Sequence, residues 1–365
     1  MYKNFINLFQ VNSHYLLNKK KYLEKIDEVL SSGKYILGSN VKKFENDLKN
    51  FTKSQYVIST SNGTDALEIC IRALSLSSND EVIVPSFSWI SSASSIKLAG
   101  AKPIFCDIEL DTYGLDYQSL NKKINHKTKA VIIVSLYGQI PRDIFKIKKL
   151  CKKKNIILIE DAAQSFGSRI NKFNSCNIAD LSTTSFFPTK SFGGYGDAGA
   201  IFTNKKKLSD KIKKIRQNGT LDKKKFKCLG KNARMDEIQA ALLSLRLKDF
   251  KKILAIKKKN AKFFIEHLKK FFFIYDAKNN NPSYSLFTLR HPKRDKIINF
   301  LRLRGIDSGI YYKQKLHHLK FLNKSNEDFK NTKKATEEVF SIPIHESLKK
   351  HEKYKIVKNL IKFFN

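Results

Sequence analysis

The chain has 365 residues, and its hydrophobic share of 41% is enough for a packed interior and excludes a disordered chain. Its 70 Lys and Arg against 33 Asp and Glu give a formal net charge of +37, which raises nucleic-acid binding as a function. The lysines are dispersed, however, as at Lys19–Lys21, Lys152–Lys154, Lys223–Lys225 and Lys257–Lys259, with no basic arm carrying interleaved aromatics, so compositional drift of the AT-rich kind accounts for them and no nucleic-acid partner is expected.

The N-terminus, Met1 to Tyr15, has no apolar run followed by a small-residue cleavage site. No stretch approaches the ~20 apolar residues of a membrane span. Five cysteines (Cys70, Cys106, Cys151, Cys176, Cys228) stand at wide spacings without a CxxC pair. That pattern argues against a disulfide framework and against a zinc site, so no metal is expected and a cytoplasmic protein is.

In chain order, Ser61–Leu67 (SNGTDAL) opens a helix that continues through Leu74, with Asn62 or Thr64 as N-cap. Val82–Val84 is an apolar strand. Ala130–Gly138 is a second, followed by a helix from Pro141 to Lys153 and a strand over Ile156–Glu160. Ala200–Thr203 is a further strand after a Gly-rich stretch. Apolar strands separated by helices predict an α/β fold with a mostly parallel sheet covered on both faces. Ligands then sit at the C-terminal ends of the strands. Met235 to Leu268 is helical, as one long helix or two in tandem, with no Gly or Pro to break it. Ser283–Arg290 alternates as a strand. Arg294–Arg304 is a helix stopped by Gly305, and Tyr354–Phe364 is an amphipathic helix. The expected domains are 1–249, large, and 250–365, small.

Three segments carry chemistry. At Ser61–Leu67 the free N–H groups of a helix start suit a phosphate, and Gly63 lets the backbone approach closely; an ordinary capped helix reads the same way. In Ile156–Ser165 an apolar strand ends in Glu160-Asp161. A carboxylate there is costly unless it meets a cation or donor, and a protonated pyridine nitrogen is such a partner; an Asp capping the next turn is the plain alternative. In Thr183–Ala200, Ser185 precedes Lys190 by five residues, with Phe186, Phe187 and Pro188 before it and Gly193, Gly194, Gly196 and Gly199 after it. A lysine in such surroundings can lose its charge and act as a nucleophile. A lone lysine in so lysine-rich a chain means little. The order of parts means more: phosphate turn, aromatic, strand-end Asp, then Lys in a Gly-rich bend. Pyridoxal phosphate (PLP) requires an amine, a carboxylate at its ring nitrogen, phosphate donors and an aromatic face.

On these residues the chain resembles the sugar-nucleotide aminotransferases of the DegT/DnrJ/EryC1/StrS family, which have the fold-type-I PLP architecture. The resemblance runs from GKYILGSNVKKFE (Gly33–Glu45) through EDAAQSFGS (Glu160–Ser168), TSFFPTK (Thr184–Lys190) and GKNARMDEIQAALL (Gly230–Leu243) to IPIH (Ile342–His345). It implies that Lys190 is the Schiff-base lysine and proton shuttle, that Asp161 pairs with the pyridinium nitrogen, and that Gln164 bonds the ring hydroxyl side. Trp89 takes the position of the stacking aromatic. Gly63, Thr64 and Ser185 hold the phosphate, joined by Asn232 of a second subunit, which implies a homodimer with shared sites. Arg234 and His317-His318 lie where relatives contact the sugar nucleotide; Arg234 as a structural ion-pair residue and either His as a surface residue are the plain alternatives. Two departures stand out: Gly196-Asp197-Ala198-Gly199 in place of GDGG, and Tyr312-Lys-Gln-Lys-Leu where relatives often carry prolines, which puts the substrate-facing geometry in doubt. Relatives with His in place of the lysine are dehydratases, and Lys190 argues against that branch.

The implied reaction moves an amino group from glutamate to a keto-sugar nucleotide by way of pyridoxamine phosphate (PMP). The wording of Asp161–Ser185 is nearest to enzymes that aminate C3 of UDP-2-acetamido-2-deoxy-3-oxo-glucuronate, with Arg234 facing the sugar carboxylate, for lipopolysaccharide O-antigen or a similar glycan. A 3-keto- or 4-keto-6-deoxyhexose nucleotide is the alternative substrate, and a non-catalytic regulator on the same fold is the alternative role.

Overall fold

A computed structural model describes residues 5–222, 224–276, 280–322 and 324–364; Lys223 of the dispersed lysine runs and the first four residues of the N-terminal segment lie outside them. The centre is a seven-stranded sheet in the order Tyr56–Thr60, Gly199–Thr203, Leu181–Ser185, Ile157–Asp161, Thr128–Val134, Glu81–Pro85, Lys102–Cys106. Gly199–Thr203 runs antiparallel to both its neighbours, and the remaining pairings are parallel. Four of these strands are the apolar runs named from the sequence; Tyr56–Thr60, Lys102–Cys106 and Leu181–Ser185 are not among them, and Leu181–Ser185, mostly Ser and Thr, is buried by its place inside the sheet rather than by apolar composition.

Several elements differ from expectation at their ends, each for a local reason. The strand over Ala130–Gly138 stops at Val134, and Leu136–Gly138 form a 3-10 turn in which Tyr137 takes φ +57°, a left-handed conformation that ends an extended run. The helix expected from Pro141 starts at Ile144; Arg142 and Asp143 form a turn ahead of it, with the Arg142 N–H donating to Thr112 Oγ1 at 3.1 Å. Only Phe287–Arg290 of Ser283–Arg290 is a strand; the Ser283 N–H instead donates to Ser168 Oγ at 3.0 Å. The last helix runs Lys350–Lys362, its start set by Glu352 accepting the Lys349 N–H at 2.7 Å. Arg294–Arg302 ends ahead of Gly305, whose φ of +69° suits a glycine after a helix.

One uninterrupted helix, Glu237–Leu268, resolves the choice between one helix and two. Thirty-two residues span about 48 Å, so its two ends reach different cores. Ala240, Leu243, Phe250 and Leu254 join a phenylalanine cluster under the sheet, whereas Ala261, Phe264 and Leu268 join the core built by the C-terminal elements. Ile6 belongs to that second core: its N–H donates to Gly305 O at 2.8 Å, and its carbonyl accepts from the Asp307 N–H at 2.9 Å. Ile6 thus packs with the C-terminal elements, and Phe9 follows it back to a cavity at the edge of the large sheet.

The helix start also clamps the first motif. Glu237 is buried and its carboxylate accepts the Asn40 and Val41 N–H groups at 2.9 Å each, capping the helix Ser39–Thr52 from a distance of about 200 residues of chain. Glu237→Ala should destabilise the fold by about 3 kcal/mol, because it orphans those buried donors. Urea unfolding checks this, with Glu237→Gln expected to recover about half of the loss.

Candidate active site

The strands Tyr56–Thr60, Thr128–Val134, Ile157–Asp161 and Leu181–Ser185 deliver their ends to a cavity of about 540 Å³. Seven of the predicted residues line it: Gly63, Thr64, Trp89, Asp161, Gln164, Ser185 and Lys190.

Alternation along the Ile157–Asp161 strand splits the two adjacent carboxylates. Glu160 faces the sheet interior, where Ser175 Oγ (2.8 Å), Ser182 Oγ (3.0 Å) and the Cys176 N–H (3.0 Å) donate to it. Asp161 faces the cavity and accepts from Ser92 Oγ at 2.8 Å and from the Ala163 N–H at 3.2 Å. Burial pushes the Asp161 carboxyl above its usual range, and these two donors and the Lys190 charge pull it back. Burial likewise lowers the Lys190 amine, which Asp161 opposes. Each group thus favours the charged form of the other across the cavity, against the burial that disfavours both.

The loop that carries Lys190 is pinned by aromatic packing. Phe186 and Phe192 are fully buried with ring centroids 5.5 Å apart, and both pack on Phe166 and Phe44. Ala198, where relatives carry glycine, is buried in the same cluster, so the extra methyl group has a place. Between the two phenylalanines the Lys190 N–H donates to Phe187 O at 2.9 Å.

The helix Gly63–Arg72 has Asn62 as its N-cap, whose side chain accepts the Asp65 N–H at 2.8 Å. Thr64 bonds Ser91 Oγ at 2.8 Å instead. Among the described residues no acceptor meets the Gly63 and Thr64 N–H groups, so both remain for an anion beside Ser185. A Cβ on Gly63 would stand 2.7 Å from Ser185 Cβ, which is why glycine alone permits this approach.

Gln164 is held at both ends, its Oε1 by the Tyr137 N–H at 2.7 Å and its Nε2 donating to Tyr312 Oη at 2.6 Å. The Tyr137 hydroxyl donates to Tyr311 O, closing the circuit. Tyr312 also packs 5.7 Å from Trp89, which is 57% exposed at the cavity mouth. Burial raises the Tyr312 phenol well above its ordinary value, and the Asp161 charge adds to this, so the hydroxyl stays protonated.

Four predicted residues lie away from this cavity. Asn232 is exposed on a segment bridged to Gln217. Arg234 is half-buried, and its Nε has no hydrogen-bond partner; among the described residues of this chain no carboxylate is within ion-pair distance. His317 is buried, with its Nδ1 bonded to Ser86 Oγ and its ring 4.6 Å from Phe329. Burial, with the charges of His318 and Lys315, lowers it to about 4. His318 is exposed. The residues missed from sequence are Ser92, Tyr137, Tyr311 and Phe9. Ser92 had a signal, standing one helical turn after Ser88 in the same motif and bonded to it at 2.8 Å. Phe9 had none, since only the tertiary fold brings it near.

The donor set fits a phosphorylated pyridine aldehyde. Asp161 offers a buried carboxylate to a protonated ring nitrogen, Gly63, Thr64 and Ser185 offer phosphate donors, and Lys190 offers the amine.

The profile of the DegT/DnrJ/EryC1/StrS aminotransferase family matches residues 17–361. The UDP-2-acetamido-2-deoxy-3-oxo-D-glucuronate aminotransferase of Pseudomonas aeruginosa is 38% identical, covering 90% of this chain and 91% of its own. A protein of Geobacillus stearothermophilus named pleiotropic regulatory protein is 33% identical over 98% of both chains. The crystal structure of NtdA from Bacillus subtilis with bound cofactor PMP superposes with a TM-score of 0.91 at 27% identity, covering 99% of this chain and 86% of that one. The chain belongs to the DegT/DnrJ/EryC1/StrS aminotransferase family and is a sugar aminotransferase whose cofactor is pyridoxal phosphate.

Proposed function

We propose that the enzyme transfers an amino group from glutamate to C3 of UDP-2-acetamido-2-deoxy-3-oxo-glucuronate, in the cytoplasm, for a surface glycan such as lipopolysaccharide O-antigen. The observation that carries the substrate is Arg234. Its guanidinium has no carboxylate partner of its own, and a sugar uronate is a bidentate match for it. The Pseudomonas aeruginosa relative acts on that sugar nucleotide by its name. Five unpaired cysteines support the cytoplasm. Among the described residues no helix is long and apolar enough to cross a membrane.

The working unit on this reading is a homodimer. Asn232 and Arg234 lie outside the cavity of their own chain, which suits residues that complete the cavity of a second copy. Exposed apolar side chains support the same reading: Phe226 and Leu229 on the segment before Asn232, and Trp89 and Phe187 at the cavity mouth.

Pyridoxal phosphate, when bound, supplies a carbonyl carbon that takes up amines and a ring that draws electrons from the neighbouring C–H bond. The protein does the rest. Lys190, with its amine pulled toward neutrality, takes a proton from the donor's Cα and returns one to the acceptor carbon. Asp161 keeps the ring nitrogen protonated, and Ser92 keeps Asp161 aimed at it. Gly63, Thr64 and Ser185 anchor the phosphate, Trp89 covers a face of the ring, and Tyr312 lies beside it through Gln164 and the Trp89 ring. A regulatory role without turnover has the name of the Geobacillus stearothermophilus relative in its favour; Lys190 and Asp161 in one cavity weigh for turnover.

Single-turnover reaction of the PMP-loaded enzyme with a panel of keto-sugar nucleotides should consume the 3-oxo-uronate fastest. A 6-deoxy-keto sugar reacting in its place would overturn the substrate. Lys190→Ala should lower turnover by at least about 1,000-fold, and borohydride should then no longer fix the cofactor to the protein, as mass spectrometry would register. Asp161→Asn should lower turnover by about 100-fold or more while leaving that fixation intact. Mixing inactive Lys190→Ala with inactive Asn232→Ala chains should restore about a quarter of the wild-type sites through random pairing. Recovery no greater than the sum of the parents would mean that Asn232 acts in its own chain or not at all.

A further inference from the structure

A second group of charges lies beside the loop that bears Lys190, and none of the roles assigned above falls on it. Arg246 and Lys257 project from the long helix Glu237–Leu268 and are 4% and 6% exposed. One carboxylate faces them: Glu346 Oε1 lies 3.9 Å from an Arg246 terminal nitrogen and also accepts from Ser13 Oγ at 3.2 Å. Arg246 Nε is buried without any hydrogen-bond partner. Among the described residues no ion pair or hydrogen bond engages the Lys257 amine.

The surrounding groups do not balance these cations. His14 and His345 are both held below their ordinary values by burial, so neither adds negative charge nor relieves the need for it. Asp249, the next carboxylate, is turned to His14 at 3.3 Å and to Lys252 at 3.7 Å, and is 39% exposed. Burial pulls the Lys257 amine down to about 8, against the attraction of Glu346 and with the repulsion of Arg246. Two buried cations thus share one carboxylate. An uncompensated buried charge is strongly unfavourable, so the arrangement calls for a second negative charge.

Space for it exists. Arg246, Lys257, His345 and Glu346 line a recess of about 30 Å³ whose other wall is Thr189, Lys190 and Ser191. That volume suits one particle of about the size of a water molecule. We propose that Arg246 and Lys257 form a binding site for one small monovalent anion, a halide ion or a carboxylate group, behind the loop that presents Lys190. The anion would neutralise the cluster and tie together the long helix, the His345-Glu346 segment and the Lys190 loop. Two sources share this chemistry: a free ion from solution, or a carboxylate of the amino donor.

The holoenzyme is melted at constant ionic strength in sodium bromide and in a bulky sulfonate buffer that cannot enter the recess. Bromide should raise the melting temperature by about 3 °C. Arg246→Met and Lys257→Met should each lose that shift. Lys257→Met should also melt no lower than the wild type in the sulfonate, since it removes an unbalanced charge and keeps the aliphatic stem; if it does not fold, Lys257→Gln takes its place. Crystals grown in bromide should show an anomalous peak between Arg246 and Lys257. Titration of the holoenzyme with L-glutamate, followed by cofactor absorbance, separates the sources. Bromide that weakens glutamate binding several-fold in the wild type, and not in Lys257→Met, assigns the site to the donor carboxylate; an unchanged glutamate constant assigns it to a free ion. No bromide shift in the wild type, or the same shift in both variants, would overturn the site.

Discussion

A carboxylate buried at the end of a parallel strand governs this structure. Asp161 is 6% exposed, and burial alone would drive it to take up a proton. Ser92, the Ala163 N–H and the charge of Lys190 each pull the other way. Each of these must be held in place by something else. Ser92 stands on the helix Ser91–Leu98, Ala163 on the turn that follows the strand, and Lys190 on a loop fastened by Phe186 and Phe192. Without the aromatic cluster under that loop, the amine would have no reason to remain opposite the carboxylate.

The same economy of means recurs where distant segments meet. Glu237 caps a helix nearly 200 residues before it. Asp107 caps the helix Lys330–Glu338 through the Asn331 and Thr332 N–H groups, at 3.1 and 2.8 Å. The buried carboxylates are met by donors or cations: Glu160 and Asp161 at a strand end, Glu237 at a helix start, and Glu68 beside Arg72 and Lys231. The excess cations stay at the surface for the most part, in keeping with compositional drift. Arg216, Arg246, Lys257 and Arg294 are buried exceptions.

Much of the cofactor side was legible because its parts are local. SNGTDAL, EDAAQS and TSFFPTK each contain their own turn chemistry, and the apolar run ahead of EDAAQS marks where that strand stops. The strands Tyr56–Thr60, Ile157–Asp161 and Leu181–Ser185 all run in one direction, so the three motifs at their ends meet in one cavity. The substrate side was not legible in that way. Tyr311 and Tyr312 arrive from the C-terminal half through the Tyr137 hydroxyl and the Gln164 amide, and Phe9 arrives from the N-terminus along the Ile6–Gly305 pairing. None of these contacts leaves a local pattern. His317 shows the converse: its position in the chain suggests a ligand, while its ring is packed between Ser86, Phe105 and Phe329.

The sequence by itself determined the strand-and-helix alternation, the parallel sheet, the single breakless run from Met235 to Leu268, and the residues that converge on Lys190 and Asp161. These depend on period, turn residues and burial, which are properties of neighbouring positions. The tertiary structure alone decided which faces those residues take. It turned Glu160 inward and Asp161 to the cavity, closed the Gln164–Tyr312–Tyr137 circuit, left Asn232 and Arg234 outside the cavity of their own chain, and enclosed Arg246 and Lys257 with a single carboxylate. Long-range contacts of that kind are set by how whole elements pack, and a linear pattern carries no record of them.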